Sequence, residues 1–279
     1  MTLDQITIVI TSYKSDKKII KCLKSINNQC KVIIIENSKN IYFKEKIQNI
    51  FTNTECFIAG ENLGYAKGNN LGLSKVKTKY ALILNPDAEL SSNTLNTFLN
   101  TANKIKDFAI IGPGIQDEKN IKNNTKELIE VDSVKGFAMF LNLEQFSDVG
   151  FFDDNFFIYL EEIDLCKRIR KKNKKIFIDP SILIHHQGGS SHEEQYNFEM
   201  ELSRNWHWMW STFYFTKKHK GFLTAFLYVS DKLFSGFFKY IFYSLTSRRS
   251  KKLIYKHRIS GLFNSIIGKP SWFRPFNNN

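Results

Sequence analysis

The sequence lacks the marks of an exported or disulfide-bonded protein. Its four cysteines, Cys22, Cys30, Cys56 and Cys166, lie far apart and form no Cys-x-x-Cys pair, so neither a zinc site nor a disulfide framework is indicated. The first residues contain no basic segment followed by a long apolar stretch, which a secretory signal needs. We therefore expect reduced thiols in a cytoplasmic protein.

The common nucleotide-binding fingerprints are also absent, although one segment is rich in glycine. Gly60, Gly64, Gly68 and Gly72 recur at every fourth position, and the segment contains neither Gly-x-Gly-x-x-Gly nor Gly-Lys-Ser/Thr. On a helix this spacing places small residues along one stripe, where another backbone or a ligand can approach closely. Tight packing on a sheet and ligand binding both remain open.

Acidic residues are scarce in the C-terminal region. Residues 201–279 hold 14 Lys or Arg and 2 Asp or Glu, whereas residues 1–200 hold 26 and 25. Of the 40 aromatic residues, 15 lie between Trp206 and Tyr243. A basic, aromatic region of this kind suits an anionic membrane surface, nucleic acid, or helices packed on a catalytic domain.

A helix that crosses a membrane is not expected there. Asp231, Lys232 and Lys239 interrupt the apolar segment from Gly221 to Thr246, and a membrane span needs about 20 predominantly apolar residues. A helix that lies in the membrane interface is more natural, with basic residues near Arg248 on anionic lipid. We therefore predict a catalytic domain over residues 1–200 and a helical, membrane-associating extension over 201–279, on the inner face of the cytoplasmic membrane.

The balanced first part of the chain alternates between strand and helix patterns. β-branched and apolar runs separated by amphipathic segments predict a mostly parallel sheet flanked by helices, with right-handed crossovers. The predicted strands lie at 6–10, 31–35, 56–58, 81–84, 108–112, 134–141, 174–178 and 182–184. The predicted helices include 42–51, 95–105, 144–149 and 161–172, and the polar segment 117–130 is predicted as a surface loop.

One strand ends in a carboxylate. Ala81 to Leu84 reads as a strand buried on both faces, and Pro86 stops it, so Asp87 projects from the strand tip. Ligands of open α/β sheets bind at this edge. A single aspartate in a turn is otherwise only a turn residue, so the interpretation depends on other residues that agree with it.

A second carboxylate cluster begins a helix. Glu161, Glu162 and Asp164 follow the aromatic segment 151–159, and acidic residues in a first turn stabilise a helix by interaction with its dipole. A carboxylate beside aromatic rings is also partly desolvated, which raises its proton affinity and suits a general base. Further along, His185 and His186 end a strand, where an imidazole is a plausible Mn²⁺ ligand or simply a polar loop residue.

Four motifs in order resemble the family 2 glycosyltransferases with a GT-A fold, and within them the rhamnosyltransferase-like branch. The resemblance extends from Ile6 to about Ser191. In chain order, the motifs are Glu61–Asn70, Asn85-Pro-Asp87, Phe156–Arg168 and the His-x-Gly-Gly-x-Ser of His186–Ser191. Asn85-Pro-Asp87 stands in place of the usual Asp-x-Asp. The resemblance implies an inverting transfer of a sugar from a nucleoside diphosphate to a lipid-linked or cell-surface polysaccharide acceptor.

The resemblance also implies residue roles. Asp87, with His186 as a second protein ligand, would hold Mn²⁺ or Mg²⁺ on the diphosphate of a dTDP- or UDP-sugar, and Glu162 would be the base. Glu162 stands where the family usually has Asp, and one extra methylene displaces a base by about 1 Å, so Asp164 stays a candidate. The implied donor-binding residues are Thr11, Tyr13, Glu36, Asn62, Gly64, Asn69, Asn85 and Asp87.

Two other functions remain possible from the sequence. A nucleic-acid-binding protein would use the basic tail, but it would have no use for the carboxylates of the neutral part, so we expect no nucleic acid partner. A nucleotidyltransferase would also need a metal-binding carboxylate, but it releases pyrophosphate rather than a nucleoside diphosphate. The oligomeric state is left open.

Overall fold

The computed structural model describes residues 2–26, 28–114, 127–186 and 192–276. The chain divides into two compact units. The first unit comprises Met1–Phe152 and Glu162–Glu193, and the second comprises Asp153–Glu161 and Glu194–Asn279. The predicted functional boundary at residue 200 stays a prediction.

The first unit is built on β-strands, of which the described residues contain ten. They are β1 (Ile6–Ser12), β2 (Lys31–Glu36), β3 (Thr54–Ile58), β4 (Tyr80–Leu84), β5 (Ala88–Leu90), β6 (Ile110–Pro113), β7 (Ile129–Glu130), β8 (Ala138–Asn142), β9 (Ile176–Asp179) and β10 (Ile184–His186). Eight of them form one sheet in the order β3-β2-β1-β4-β8-β6-β9-β7. β1 to β4 are parallel to their neighbours within this group, and β6 is parallel to β9. The predicted mostly parallel sheet is confirmed.

An antiparallel strand lies in the middle of the sheet. β8 pairs with β4 on one side and β6 on the other, and Ala138 lies opposite Leu84. The backbone N–H of Asn85 donates to the carbonyl of Phe137 at 2.8 Å, which extends this pairing past the end of β4. The residues before β8 therefore lie beside the tip of β4.

Within the described residues, five α-helices lie between these strands in the chain. They are α1 (Asp16–Ile26), α2 (Ile41–Ile50), α3 (Gly64–Leu73), α4 (Thr94–Ile105) and α5 (Glu161–Lys171). The glycine stripe packs α3 against β1, because a Cβ added at Gly72 would lie 2.4 Å from Val9 Cγ1 and one at Gly68 would lie 2.5 Å from Thr11 Cγ2. Tight helix–sheet packing therefore explains the stripe.

Several element boundaries differ from the predictions. The strand predicted from residue 134 begins at Ala138, and the helix predicted over 144–149 is the single 3₁₀ turn Leu143–Phe146. The predicted loop 117–130 lies outside the described residues up to 126, but its end, Ile129–Glu130, pairs with β9 as an edge strand. The strand predicted over 182–184 is β10, so both histidines lie within it. The motif residues 187–191 lie outside the described residues.

The second unit is helical. It contains α6 (Asn197–Lys220), α7 (Phe222–Leu245) and α8 (Arg249–Ile266), and its core includes Met209, Phe213, Ala225, Val229 and Leu262. Asp153 accepts hydrogen bonds from Tyr214 Oη at 2.9 Å and Lys218 Nζ at 2.7 Å, which attach the segment before α5 to α6. Among the residues described, no helix combines the length and apolar character needed to cross a bilayer.

Candidate active site

The carboxylate of Asp87 lies at the end of β4, as predicted, and it is buried. Only 7% of the residue is exposed, and no residue in the described ranges donates a hydrogen bond to either carboxylate oxygen. The chain turns here, since the N–H of Ala88 donates to the carbonyl of Asn85 at 3.1 Å. A buried carboxylate without donors is costly, because desolvation disfavours the charged form. A cation is the partner that would compensate it.

A two-stranded sheet places His186 beside Asp87. β10 pairs antiparallel with β5, so His186 lies opposite Ala88 and His185 lies opposite Glu89. His186 Nε2 is 3.3 Å from Asp87 Oδ1 and 3.5 Å from Asn85 Nδ2, whereas His185 is exposed. The pairing therefore selects His186, rather than His185, as the imidazole at this carboxylate.

The surroundings of Asp87 carry a negative potential. Burial raises the pKa of the Cys22 thiol, and the charges of Asp87 and Glu89 raise it further. One carboxylate and one imidazole are a donor set that suits Mn²⁺. Within the described parts of the chain, no group of three or more His, Cys, Asp and Glu residues could hold a metal ion. Asp87 and His186 could therefore supply two ligands to a cation, although the described residues form no complete metal site.

Phe137 and Gly136 connect this carboxylate to the start of α5. The Phe137 ring stacks on the His186 ring with centroids 4.4 Å apart, and a Cβ added to Gly136 would lie 3.5 Å from Glu162 Cβ and Cγ. The Tyr65 hydroxyl donates to the Gly136 carbonyl. Asp87, His186, Phe137, Gly136 and Glu162 thus form one continuous set of neighbours within the first unit.

The backbone turns sharply just before Glu162. Tyr159 and Leu160 have φ angles of 74° and 67°, a left-handed conformation that is costly for large side chains. Two such residues in succession end the aromatic segment and start α5 immediately afterwards. Burial raises the pKa of the Tyr159 hydroxyl to about 12, with Arg204 lowering it and Glu161 raising it. Glu161 is buried and belongs to the second unit.

Asp164 has a structural partner. It is fully buried, and its Oδ2 accepts a hydrogen bond from Arg168 Nε at 2.8 Å. Arg168 also donates to the carbonyls of Val149, at 2.7 Å, and Phe151. This ion pair attaches α5 to the loop before it, whereas Glu162 remains partly exposed. Of the two predicted bases, Glu162 is therefore the more accessible.

The predicted donor-binding residues at the tip of β1 are joined to α3. Thr11 Oγ1 donates to Asn69 Oδ1 at 3.1 Å, and Asn69, fully buried, donates through Nδ2 to the Tyr65 carbonyl at 3.0 Å. Asn62 Oδ1 accepts from the Gly64 N–H at 3.1 Å and so shapes the start of α3. These residues hold the strand tip and the helix start together.

Glu36 shapes its own loop. Its Oε1 accepts from the Ser38 N–H at 2.9 Å, and Oε2 accepts from the Asn40 N–H at 2.8 Å. That Glu36 lines a base pocket stays a prediction. Both oxygens of its carboxylate already accept hydrogen bonds from backbone N–H groups. Tyr13, the other predicted pocket residue on this side, is half-buried, and its carbonyl accepts from Ser15 Oγ at 3.0 Å.

Sequence reasoning missed three residues of this site. From the sequence, Phe137 is placed only in the strand 134–141 and Tyr65 only in the motif Glu61–Asn70, and Asn37 is not singled out. Asn37 Nδ2 donates to the Gly64 carbonyl at 3.1 Å, so it also fixes the start of α3. A polar residue one position after a strand end was a usable signal for Asn37, but nothing local to Phe137 indicates its contact with His186.

The fold is that of the GT-A glycosyltransferases, as comparison with solved structures shows. A mannosyltransferase from Pyrobaculum calidifontis, solved with GDP-Man and Mn²⁺, aligns with a TM-score of 0.61 at 11% identity, over 94% of this chain and 87% of that one. Residues 1–349 of TarS from S. aureus, solved with UDP, align with a TM-score of 0.54 at 13% identity, over 98% and 93%. The predicted fold is therefore confirmed.

The chain belongs to glycosyl transferase family 2, because the sequence model of that family matches residues 7–166. It is 26% identical over 200 residues to the low-salt glycan biosynthesis hexosyltransferase Agl10 of Haloferax volcanii, covering 62% of this chain and 64% of that protein. It is 24% identical over 239 residues to the rhamnosyltransferase WbbL of Escherichia coli, covering 72% and 88%. The chain thus spans slightly less than two thirds of the hexosyltransferase. The predicted family is confirmed.

Proposed function

We propose that this protein transfers a sugar, with a rhamnose-like sugar favoured, from a nucleoside diphosphate to a hydroxyl of a glycan acceptor. The proposed acceptor is a lipid-linked or cell-surface polysaccharide, in keeping with the glycan biosynthesis named for the relative Agl10. The observation that carries the proposal is the buried carboxylate of Asp87, without hydrogen-bond donors in the described ranges, connected through His186, Phe137 and Gly136 to Glu162.

The first part of the proposal concerns the donor diphosphate. Asp87 and His186 would hold a divalent cation, which supplies charge neutralisation of the leaving diphosphate. Their geometry supports this, since an imidazole nitrogen lies 3.3 Å from a carboxylate oxygen that is otherwise without a donor in the described part of the chain. Asn85, 3.5 Å from the same nitrogen, is placed to orient the imidazole or the phosphate.

The second part concerns the acceptor proton. Glu162 would accept the proton of the attacking hydroxyl. Direct displacement of the nucleoside diphosphate by that hydroxyl would invert the configuration at the anomeric carbon. Asp164 is less suited to this role, because Arg168 Nε donates to it and the residue is fully buried. Glu161, which is also buried, remains the third acidic residue of the cluster.

The nucleotide would lie against the tips of β1 and β2 and the start of α3. Thr11 and Glu36 lie at the ends of those strands, and Tyr13 directly follows β1. Asn62 precedes α3, Gly64 begins it, and Asn69 is buried within it. The hydrogen bonds among these elements provide a rigid surface, which supports their role in donor binding. The proposed donors are dTDP- and UDP-sugars.

The second unit would bring the enzyme to an anionic membrane. Large apolar residues of α7 are strongly exposed, with Leu227 at 64%, Phe238 at 69% and Leu245 at 80%. Lysines lie near tyrosine rings at the α7–α8 turn, since Lys251 Nζ is 5.5 Å from the Tyr243 ring centroid. Exposed apolar area together with basic residues is the combination that binds anionic bilayers peripherally.

The transfer is tested with a panel of nucleotide sugars and Mn²⁺, scored by the nucleotide product. Release of a nucleoside diphosphate from one donor, lost in Asp87→Ala, supports the proposal. Release of pyrophosphate from a nucleoside triphosphate mixed with a sugar 1-phosphate, in a parallel assay, would instead identify a nucleotidyltransferase. Absence of a nucleoside diphosphate product with every donor, from a folded protein supplied with glycan acceptors, would contradict the proposal.

Membrane binding is tested separately by co-sedimentation with phosphatidylglycerol vesicles, with phosphatidylcholine vesicles and RNA as comparisons. We expect retention on the anionic vesicles only, and a clear loss in Leu227→Glu. Leu183→Glu is the matched control, because Leu183 is an exposed leucine of the first unit, at 45%. Equal retention of both variants, or preferential retention on RNA, would contradict the proposal.

A further inference from the structure

A cavity of about 320 Å³ lies within the second unit, between α6, α8 and the segment after α8. Its volume is at the lower end of the range of about 300–1,000 Å³ that is typical of small-molecule sites. No acidic residue of the described chain lines the cavity. Its lining includes three aromatic residues, Trp206, Trp272 and Phe273, and three basic residues, Lys256, His257 and Arg274.

The wall formed by α6 and α8 is rigid. Trp206 is fully buried, and its Nε1 donates to Ser260 Oγ, another lining atom, at 3.2 Å. A Cβ added to Gly261 would lie only 2.1 Å from the Trp206 carbonyl oxygen, so the two helix backbones are in contact. A wall held in this way loses little conformational freedom when a ligand binds.

The opposite wall is fastened through a buried histidine. His207 Nε2 lies 2.8 Å from the Phe273 carbonyl, and Ser271 Oγ lies 3.0 Å from His207 Nδ1. Because a carbonyl only accepts, Nε2 carries the hydrogen and Nδ1 accepts from Ser271. Burial lowers the pKa of His207 to about 3, which keeps this neutral arrangement at physiological pH. The residues that carry Phe273 and Arg274 are therefore held in place.

The polar lining groups can form hydrogen bonds with a ligand. His257 Nδ1 donates to the Leu253 carbonyl at 2.8 Å, so Nε2 of the neutral ring can accept a hydrogen bond from a protonated phosphate oxygen. Ser260 Oγ accepts from Trp206 Nε1 at 3.2 Å and Asn264 Nδ2 at 3.4 Å, so its own hydrogen can be donated. The Arg274 guanidinium stacks 4.0 Å from the Phe157 ring centroid, which orients its charge.

We propose that this cavity binds a phosphate group carried on a sugar or a lipid. Lys, Arg and Ser donors together match a phosphate, which carries up to two charges and offers several acceptor oxygens. The Trp272 ring, which is 52% exposed, would contact the apolar surface of the carrier. The proposal concerns a site separate from Asp87 and does not depend on the proposed transfer.

Isothermal titration calorimetry on the full chain tests the proposal with three probes: inorganic phosphate, glucose 1-phosphate and farnesyl phosphate. Glucose and farnesol are the uncharged comparisons. The titrations are made without divalent cations and repeated with Asp87→Ala, so that the proposed donor site does not contribute. Binding of all three probes indicates that phosphate suffices, whereas binding of only one organic phosphate identifies the sugar or the lipid as the source.

The exposed Lys256 provides the decisive variant, because its replacement does not disturb the core. We expect Lys256→Glu to weaken binding of the phosphorylated probe about tenfold or more, because the charge-assisted contact between Lys256 and the phosphate is lost. Lys252→Ala, one turn earlier on α8 and outside the lining, is the matched control and should bind normally. Absence of binding, equal binding of the uncharged analogues, or unchanged binding in Lys256→Glu would overturn the proposal.

Discussion

Neutralising Asp87 should make the metal-free protein more stable while it removes the response to manganese. The carboxylate is 7% exposed, and neither oxygen accepts a hydrogen bond from the described residues. Asp87→Asn keeps the volume and removes the buried charge. An unsatisfied buried polar group costs about 1–3 kcal/mol, and more when charged, so we expect the free energy of unfolding to rise by about that amount. For a domain of this size each kcal/mol raises Tm by about 2–4 °C.

Mn²⁺ should reverse the order of stability, so that the wild type becomes more stable than Asp87→Asn. A ligand at about 100 times its Kd stabilises the folded state by about 2.7 kcal/mol, and we expect this gain in the wild type only. Thermal unfolding at pH 8, with EDTA and with Mn²⁺, measures both effects.

The matched control is Asp179→Asn. Asp179 is also 7% exposed, but its carboxylate accepts hydrogen bonds from Thr101 and from Ser181 N at 2.9 Å and Oγ at 2.6 Å. Its replacement should lower the free energy of unfolding by about 1–3 kcal/mol. The reasoning would be refuted if Asp87→Asn were destabilised like Asp179→Asn, or if Mn²⁺ raised the Tm of Asp87→Asn as much as that of the wild type.

Three further changes test the base, the packing and the second unit. Glu162→Gln should lower kcat about 10²–10⁴-fold with donor binding unchanged, because general-base catalysis contributes about that factor. Gly72→Ala should cost about 1–3 kcal/mol of unfolding free energy by denaturant titration, because the new Cβ would lie 2.4 Å from Val9 Cγ1. Burial raises the pKa of Asp153, but hydrogen bonds from Lys218, Asn155 and Tyr214 outweigh it and lower the pKa overall. This stabilisation is therefore present above the unfolded pKa near 3.9 and lost as pH falls through the folded pKa, and Asp153→Asn should flatten the acid limb of Tm against pH.

Each of these changes has a control or an outcome that would contradict it. Asp164→Asn should reduce Tm by breaking the contact with Arg168, and a loss of kcat without a loss of stability there would move the base assignment to Asp164. Lys67→Ala, on the exposed side of α3, should leave unfolding unchanged. An acid limb of Tm against pH in Asp153→Asn that is identical to that of the wild type would contradict the role assigned to Asp153.

Local patterns were sufficient where each element is decided by its own residues. The β-branched run of β1 and the apolar spacing of α1 predict a strand and a helix because their period is set by backbone geometry. The position of Asp87 also followed locally, because Pro86 ends the strand and leaves the next residue at its tip. The i, i+4 spacing of Asp164 and Arg168 is likewise a local signal for their ion pair.

Contacts between distant segments were not available from the sequence. β5 and β10 contain three residues each, and the residues that pair lie 94 to 98 positions apart in the chain. Strands so short carry no period, and only their pairing decides that His186 rather than His185 faces Asp87. The stacking of Phe137 on His186 follows from the same pairing and from the antiparallel β8.

The sequence by itself determined the family, the strand and helix order, and the carboxylates at Asp87 and Glu162, because motifs and periodicity are properties of consecutive residues. Only the tertiary structure decided which imidazole approaches Asp87, which acidic residue of α5 is held by arginine, and that an aromatic, basic cavity exists in the second unit. Each of these depends on which surfaces of separate elements meet, and hydrophobic burial and hydrogen-bond satisfaction across the whole chain settle that.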